Sequence, residues 1–200
     1  MTAPPSPTQA HAALARRSLD TPIGPLHLVA SGTGLRAVLW PGEDGARVRR
    51  ALAATTDSVA CDAERAAEAH LDRAAEAHLE RAAEAHLDRA VAQLAEYFAG
   101  ARRVFTVALD PVGTPFQRRA WHVLRAIPYA ATISYREQAA ALGDPGKARA
   151  VGAANARNPL SIVVPCHRVV ASSGALTGFA GGLATKRWLL AHETSVLAAG

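Results

Sequence analysis

From Arg17 to Trp40 the apolar residues fall in three short stretches, Ser18 to Thr21, Pro25 to Ala30 and Leu35 to Leu39. Pro22-Ile23-Gly24 and Ser31-Gly32-Thr33-Gly34 separate them and read as hairpin turns, so a small antiparallel sheet is predicted. Residues 1–15, rich in Pro, Ala and Thr, read as a disordered tail, and Gly45 to Thr55 as a short helix.

The next segment is an internal repeat. Arg65-Ala-Ala-Glu-Ala-His-Leu-Asp72 recurs from Arg73 to Glu80 and from Arg81 to Asp88. Ala, Leu, Glu and Arg dominate, so helix propensity is high, and Arg–Glu pairs three apart (Arg65 with Glu68, Arg73 with Glu76, Arg81 with Glu84) add support. Eight residues over-rotate a helix by about 80°, which sends the leucines spiralling round it and argues against a coiled coil. His70, His78 and His86 spiral likewise and do not converge on a metal. The segment reads as a solvated helical insertion at about 64–90 that leads into Val91 to Phe98, where amphipathic spacing begins; removing 65–88 is expected to leave the chemistry in place.

After Gly100 the pattern changes again. Val104 to Leu109 alternates like a strand. Thr114-Pro115-Phe116-Gln117 has a Thr cap, a proline at the first helical position and Gln three after the cap, opening a helix to about Ala126. Ser134-Tyr135-Arg136-Glu137 is a second capping box, for a helix through Leu142, and Asp144-Pro145 caps a third from Gly146 to about Ala156. The last two form a helix-turn-helix. The second of the pair carries small residues and one long probe, Arg149. Reading bases in the major groove takes several long polar side chains, whereas small residues allow close approach to the minor groove. The alternative is that these alanines pack into the core.

With 200 residues the chain can hold one domain or two small ones. Two cysteines, Cys61 and Cys166, cannot build a disulfide framework, which points to a reducing, cytoplasmic setting. Met1 to Gln9 lacks the apolar core of a signal peptide, and no apolar run approaches the ~20 residues of a membrane span. The net charge of +5 is unevenly spread. Residues 113–200 hold ten Arg and Lys (Arg118, Arg119, Arg125, Arg136, Lys147, Arg149, Arg157, Arg168, Lys186 and Arg187) against Glu137, Asp144 and Glu193, an excess of seven. Such a basic half suits a polyanion such as DNA or RNA, although an arginine-rich compositional habit also produces it.

The chemistry concentrates at Ile162-Val163-Val164-Pro165-Cys166-His167-Arg168-Val169-Val170. A thiol beside an imidazole and a guanidinium is a thiol poised to ionise, and the thiolate is the nucleophile. A packed structural cysteine is the alternative.

Together with Tyr135, Arg149, Asn158-Pro159, Phe179-Ala180-Gly181-Gly182 and His192-Glu193, this run resembles the O6-alkylguanine-DNA alkyltransferases. The resemblance is close from Thr114 to Glu193 and looser over the hairpins. It implies an α+β fold: a small ribonuclease-H-like α/β domain over 16–110, then a helical DNA-binding domain over 111–200 with the helix-turn-helix and an active-site cysteine. It also implies single-turnover repair, in which Cys166 irreversibly accepts a methyl or other alkyl group from O6-alkylguanine, and also from O4-alkylthymine, in double-stranded DNA.

By the same resemblance His167 acts as base through a water, Glu193 orients it, and Asn158 braces the turn. The target base is flipped out of the duplex. Arg149 enters the stack from the minor groove, and Tyr135 crowds the rotated phosphate and protonates the leaving guanine. Arg136, Ala148, Ala150, Gly152 and Ser172 complete the DNA contacts, while Val169, Phe179, Ala180 and Gly181 form the base pocket. Phe179 and Ala180 stand where some relatives carry tyrosine and serine. No cofactor is implied and a monomer is expected. Some relatives hold a structural zinc, but Ser31 and Arg36 occupy positions that would need Cys and His, so no metal is expected. The cysteine-rich zinc domain of larger relatives is not seen ahead of this module. Two other readings are a module that binds alkylguanine and recruits another pathway, and a cysteine hydrolase of papain-like logic.

Overall fold

The computed structural model describes residues 14–43 and 65–200, with 65–74 described by backbone only. Most of the predicted tail, the helix predicted at Gly45 to Thr55 and Cys61 lie outside the described residues. Three strands, β1 (Ala15–Leu19), β2 (Leu26–Ser31) and β3 (Gly34–Leu39), form an antiparallel meander in that order. β1 starts at Ala15, three residues earlier than the apolar spacing indicates, because Ala15 to Leu19 pair with Leu26 to Ala30 whatever their polarity. The register shifts between Val29 and Ala30, where Arg36 of β3 is the extra residue between Leu35 and Ala37.

The whole repeat joins the predicted amphipathic segment in one helix, α1 (Arg65–Phe98), about 50 Å long. Its third octad is not a solvated insertion. Ala83, Leu87, Ala90, Leu94 and Tyr97 are all buried, a 4-3-4-3 stripe that lies on the sheet. The stripe draws on alanine as well as leucine, so the spiral of leucines alone conceals it. Arg17 of β1 pairs with Glu84 (2.7 Å) and Asp88, two acids of that octad. In the second octad Leu79 lies on the β2–β3 turn. A Cβ at Gly32 would fall 2.6 Å from its Cδ2 and 3.3 Å from its Cα, so a side chain there would push Leu79 aside.

Val104 to Leu109 forms no strand. It touches β3 through one parallel bridge, Leu35 with Leu109, held by Leu35 N–H to Ala108 O and Asp110 N–H to Leu35 O, both 2.8 Å. Asp110 then accepts from Ser31 Oγ (2.6 Å) and from Arg36 through both Nε (3.0 Å) and Nη2.

Both predicted capping boxes form, opening α2 (Pro115–Leu124) on Thr114 and α3 (Tyr135–Ala141) on Ser134. Asp144 Oδ1 accepts from Gly146 N–H and starts a 3-10 turn, Pro145–Lys147, which runs into α4 (Ala148–Asn155). Buried amides join the pair: Gln138 and Asn155 exchange hydrogen bonds of 3.2 and 2.7 Å. Trp121 Nε1–H reaches Ala154 O at 2.9 Å. The core is continuous, running from Leu26, Leu28 and Val38 of the sheet through Leu87 and Leu94 to Trp121, Leu124 and Leu160. The chain closes with α5 (Gly182–Ala199). No described helix is long and apolar enough to cross a membrane.

Candidate active site

Two links fix the cysteine turn in space. Val38 N–H donates to Pro159 O (2.8 Å), tying the approach to the turn onto β3. The short strand after it, β5 (Val169–Val170), pairs in parallel with β4 (Ile133–Ser134), directly ahead of α3. The cysteine turn is therefore tied to the entrance of the helix-turn-helix. Between these links all residues from Asn158 to Val170 are buried. Asn158 spans the turn, its Nδ2–H donating to Val164 O (2.8 Å) and its Oδ1 accepting from Leu160 N–H (3.0 Å). Ile162 sits at φ 73°, a left-handed conformation that is strained for a β-branched residue. The turn ends in a single 3-10 turn, Cys166–Arg168, with Cys166 buried at 8% exposure.

His167 and Glu193 meet here with no exposure at all, His167 Nε2 lying 2.9 Å from Glu193 Oε1. Arg168 also grips the carboxylate, donating from Nη2 to Oε1 and from Nε to Oε2, each at 2.9 Å. Ala130 N–H adds a bond to Oε2 (2.9 Å), and the Tyr97 hydroxyl one to Oε1 (2.9 Å). Burial pushes Glu193 upward, but the hydrogen bonds from His167 and Arg168 outweigh it and hold the carboxyl down at about 2. Burial pushes His167 down, against the pull of Glu193, so the imidazole is neutral at rest. Its Nδ1 is buried with no hydrogen bond to another described group. A neutral base with one nitrogen anchored and the other unengaged, next in sequence to a thiol, can take that thiol's proton.

Two family models match the chain. The ribonuclease-like domain of 6-O-methylguanine DNA methyltransferase covers residues 14–111 and the DNA-binding domain covers 115–195. The chain belongs to this family. Among relatives, the methylated-DNA–protein-cysteine methyltransferase of Salmonella typhimurium is 57% identical over 106 residues, 52% of this chain and 62% of that protein. Its counterpart in Mycobacterium tuberculosis is 56% identical over 105 residues, again 52% of this chain and 64% of the relative. These alignments thus span less than two thirds of either relative. A crystal structure of the M. tuberculosis O6-methylguanine methyltransferase superposes with a TM-score of 0.69 at 39% identity, covering 92% of this chain and 94% of that one. The M. tuberculosis protein in complex with DNA matches at the same TM-score and identity over 90% and 93%. The family's mixed α+β fold, a ribonuclease-like part followed by a helical DNA-binding part, is the fold of this chain.

The other residues singled out by sequence divide between core and surface. Phe179 lies 6.4 Å from the His167 ring, centroid to centroid, and 5.6 Å from Trp40. A Cβ at Gly181 would meet that same Trp40 ring at 2.8 Å. Val169 lies in β5, its carbonyl accepting from Lys186 Nζ (2.6 Å), while Ala180 is exposed. Tyr135, the first residue of α3, lies by Thr177, whose Oγ1 donates to its hydroxyl at 3.3 Å. Tyr135, Ala148, Gly152, Ala156, Thr177 and Gly178 line a shallow groove of about 390 Å³. On α4 the small residues divide: Ala154 is buried, whereas Arg149, Ala150 and Ala153 are exposed. Arg136 and Ser172 are exposed as well. Of the ten basic residues in this half, all but Arg168 and Lys186 are exposed.

Sequence reasoning missed four neighbours of the site: Trp40, Tyr97, Arg168 as a partner of Glu193, and Lys186. Lys186 is fully buried, donating to Val169 O and to Thr177 O (2.8 Å). Burial lowers its affinity for a proton, and the nearby Cys166 sulfur, when charged, raises it. A signal existed, since Lys147 and Lys186 are the two lysines among 22 basic residues. Lys147 is exposed and Lys186 is not, and a buried donor to two carbonyls suits a compact ammonium better than a guanidinium fork.

Proposed function

We propose that this protein repairs DNA by transferring a methyl or other alkyl group from O6-alkylguanine, and from O4-alkylthymine, to Cys166. The observation that carries the reading is the buried His167–Glu193 pair, next in sequence to the Cys166 thiol. The thiol gives its proton through a water to His167, and Glu193 stabilises the imidazolium that results. The sulfur attacks the alkyl carbon, the S–C bond forms as the C–O6 bond breaks, and the electron pair leaves on guanine. Tyr135 donates a proton to the departing base, and the charge of Lys186 favours the thiolate. The thioether has no route back, so each molecule acts once.

The partner is double-stranded DNA, met through the minor groove. The exposed cations Arg136 and Arg149 and the small residues Ala148, Ala150 and Gly152 suit close approach to its backbone, with Ser172 at the rim. Arg149, exposed in the first turn of α4, fills the place of the flipped nucleotide. Val169, Phe179, Ala180 and Gly181 receive the base. Residues 111–200 carry this chemistry and 16–110 support it, in a monomer in the reducing cytoplasm.

Reaction with a duplex containing one O6-methylguanine tests the reading by intact-protein and peptide mass spectrometry. One methyl mass on the Cys166 peptide is expected, and Cys166→Ser abolishes the gain while duplex binding persists. A stable complex without mass gain would establish a recognition module instead, and continued turnover on an ester would establish a hydrolase.

A further inference from the structure

The acid of the site is reached from a third direction, by α1 of the other half of the chain. Resting on the reading of Cys166 as alkyl acceptor, we propose that Tyr97 is a positioning residue for that reaction: its hydroxyl, carried in by α1, sets how much of the Glu193 charge acts on His167. Tyr97 belongs to the buried stripe that begins at Ala83 and is itself 1% exposed. Its ring is boxed by Phe98 (5.3 Å), Phe105 (5.5 Å), Tyr129 (6.1 Å) and His192 (5.4 Å), centroid to centroid, so the hydroxyl has one direction to point.

That direction is Glu193 Oε1, the oxygen that also meets His167. Simple anchoring of α1 does not need this bond, because His192 Nε2–H already donates to Tyr97 O at 2.9 Å. Orientation of the carboxylate does not need it either, because Arg168 and Ala130 hold both oxygens. What the phenol adds is a neutral donor on the one oxygen that faces the imidazole. A donor there takes up part of the charge that otherwise stabilises the imidazolium. The third octad, by packing α1 on the sheet, thus sets a property of the reactive centre.

The test is the pH dependence of the second-order rate with free O6-benzylguanine, which involves no DNA. Tyr97→Phe keeps the ring and removes the donor. Its acid limb is expected to move up by about one pH unit. At a pH on that limb the rate, relative to its own plateau, then falls about tenfold. Replacing Tyr97 with 3-fluorotyrosine, a stronger donor of nearly the same shape, moves the limb the other way and serves if the Phe variant does not fold. Profiles that superimpose on the parent, or that shift in the same direction, overturn the inference while leaving alkyl transfer standing. A parent protein that gains no benzyl group overturns the underlying reading instead.

Discussion

Two carboxylates in this molecule are each held by an arginine and a hydroxyl, and Glu193 meets an imidazole as well. Asp110 accepts from Arg36 and Ser31 beside the sheet. Glu193 accepts from Arg168 and Tyr97 beneath the cysteine turn. Each pairs an arginine fork with a hydroxyl, and each is held below the usual carboxylate range although burial pushes it up. The difference is His167. At Asp110 the arginine and hydroxyl bonds converge on Oδ2, whereas at Glu193 an imidazole passes the influence of the carboxylate to whatever its second nitrogen meets. A buried ion pair is therefore not a sign of a reactive site; an ion pair with a titratable third member, beside a nucleophile, is.

The largest effect belongs to Glu193→Gln. The amide cannot stabilise an imidazolium, so the single-turnover rate is expected to fall about a hundredfold or more. Arg168 also loses its counter-charge in a buried place, at a cost of about 3 kcal/mol of stability. Rates by quenched transfer and stability by urea melts check both. A rate within a few-fold of the parent would reduce the pair to the same structural status as Asp110.

Acid titration comes next. A carboxyl at about 2 when folded and near its ordinary value of 4.5 when unfolded stabilises the fold at neutral pH, on the order of 3 kcal/mol. That contribution is complete above about 4.5 and is lost as pH falls toward 2. His167 acts in the same sense higher up: held neutral in the fold, it makes the unfolded chain bind a proton first as pH falls below its ordinary value of 6.5. Urea midpoints measured from pH 7 downward should decline through both windows. In Glu193→Gln the lower window should shrink to what carboxylates such as Asp110 and Glu137 supply.

Asp110→Asn should separate the two clusters from the other side. It weakens the charge-assisted bonds from Arg36 and costs about 1–2 kcal/mol in urea melts. Transfer to Cys166 should keep the parent rate with free O6-benzylguanine, since Asp110 lies outside the site. A matching loss of rate would mean that strain at the sheet reaches the cysteine turn through the Val38–Pro159 link.

How much of this was legible in the sequence follows from how local each signal is. Capping boxes at Thr114 and Ser134 are local chemistry and were read to the residue. The Cys-His pair was legible for the same reason, and Glu193 through the resemblance that placed it. Tyr97 falls within the segment read as amphipathic, but its role as a donor was hidden because its partner lies 96 residues away. The third octad was misjudged because a periodicity argument followed leucines alone, while the buried stripe alternates alanine with larger residues. Val104 to Leu109 alternates convincingly, yet it makes one bridge with β3 where a strand needs a ladder.

The smallest effect concerns Ala130, whose N–H is the one backbone donor to Glu193 among the described residues. Its φ of 61° is left-handed, where a Cβ crowds the following carbonyl and costs roughly 1–2 kcal/mol. Glycine removes that strain but gives the unfolded chain more freedom, an opposing cost of roughly 0.5–1 kcal/mol. Ala130→Gly should therefore gain about 0.5 kcal/mol, seen as a higher urea midpoint at an unchanged slope. Asp110 receives no backbone bond from a strained residue, so no glycine near it should do the same. If Ala130→Gly instead loses stability, the half-buried methyl contributes more through packing than the backbone gains by relaxing, and the donor to Glu193 is held by side-chain contacts instead of against strain.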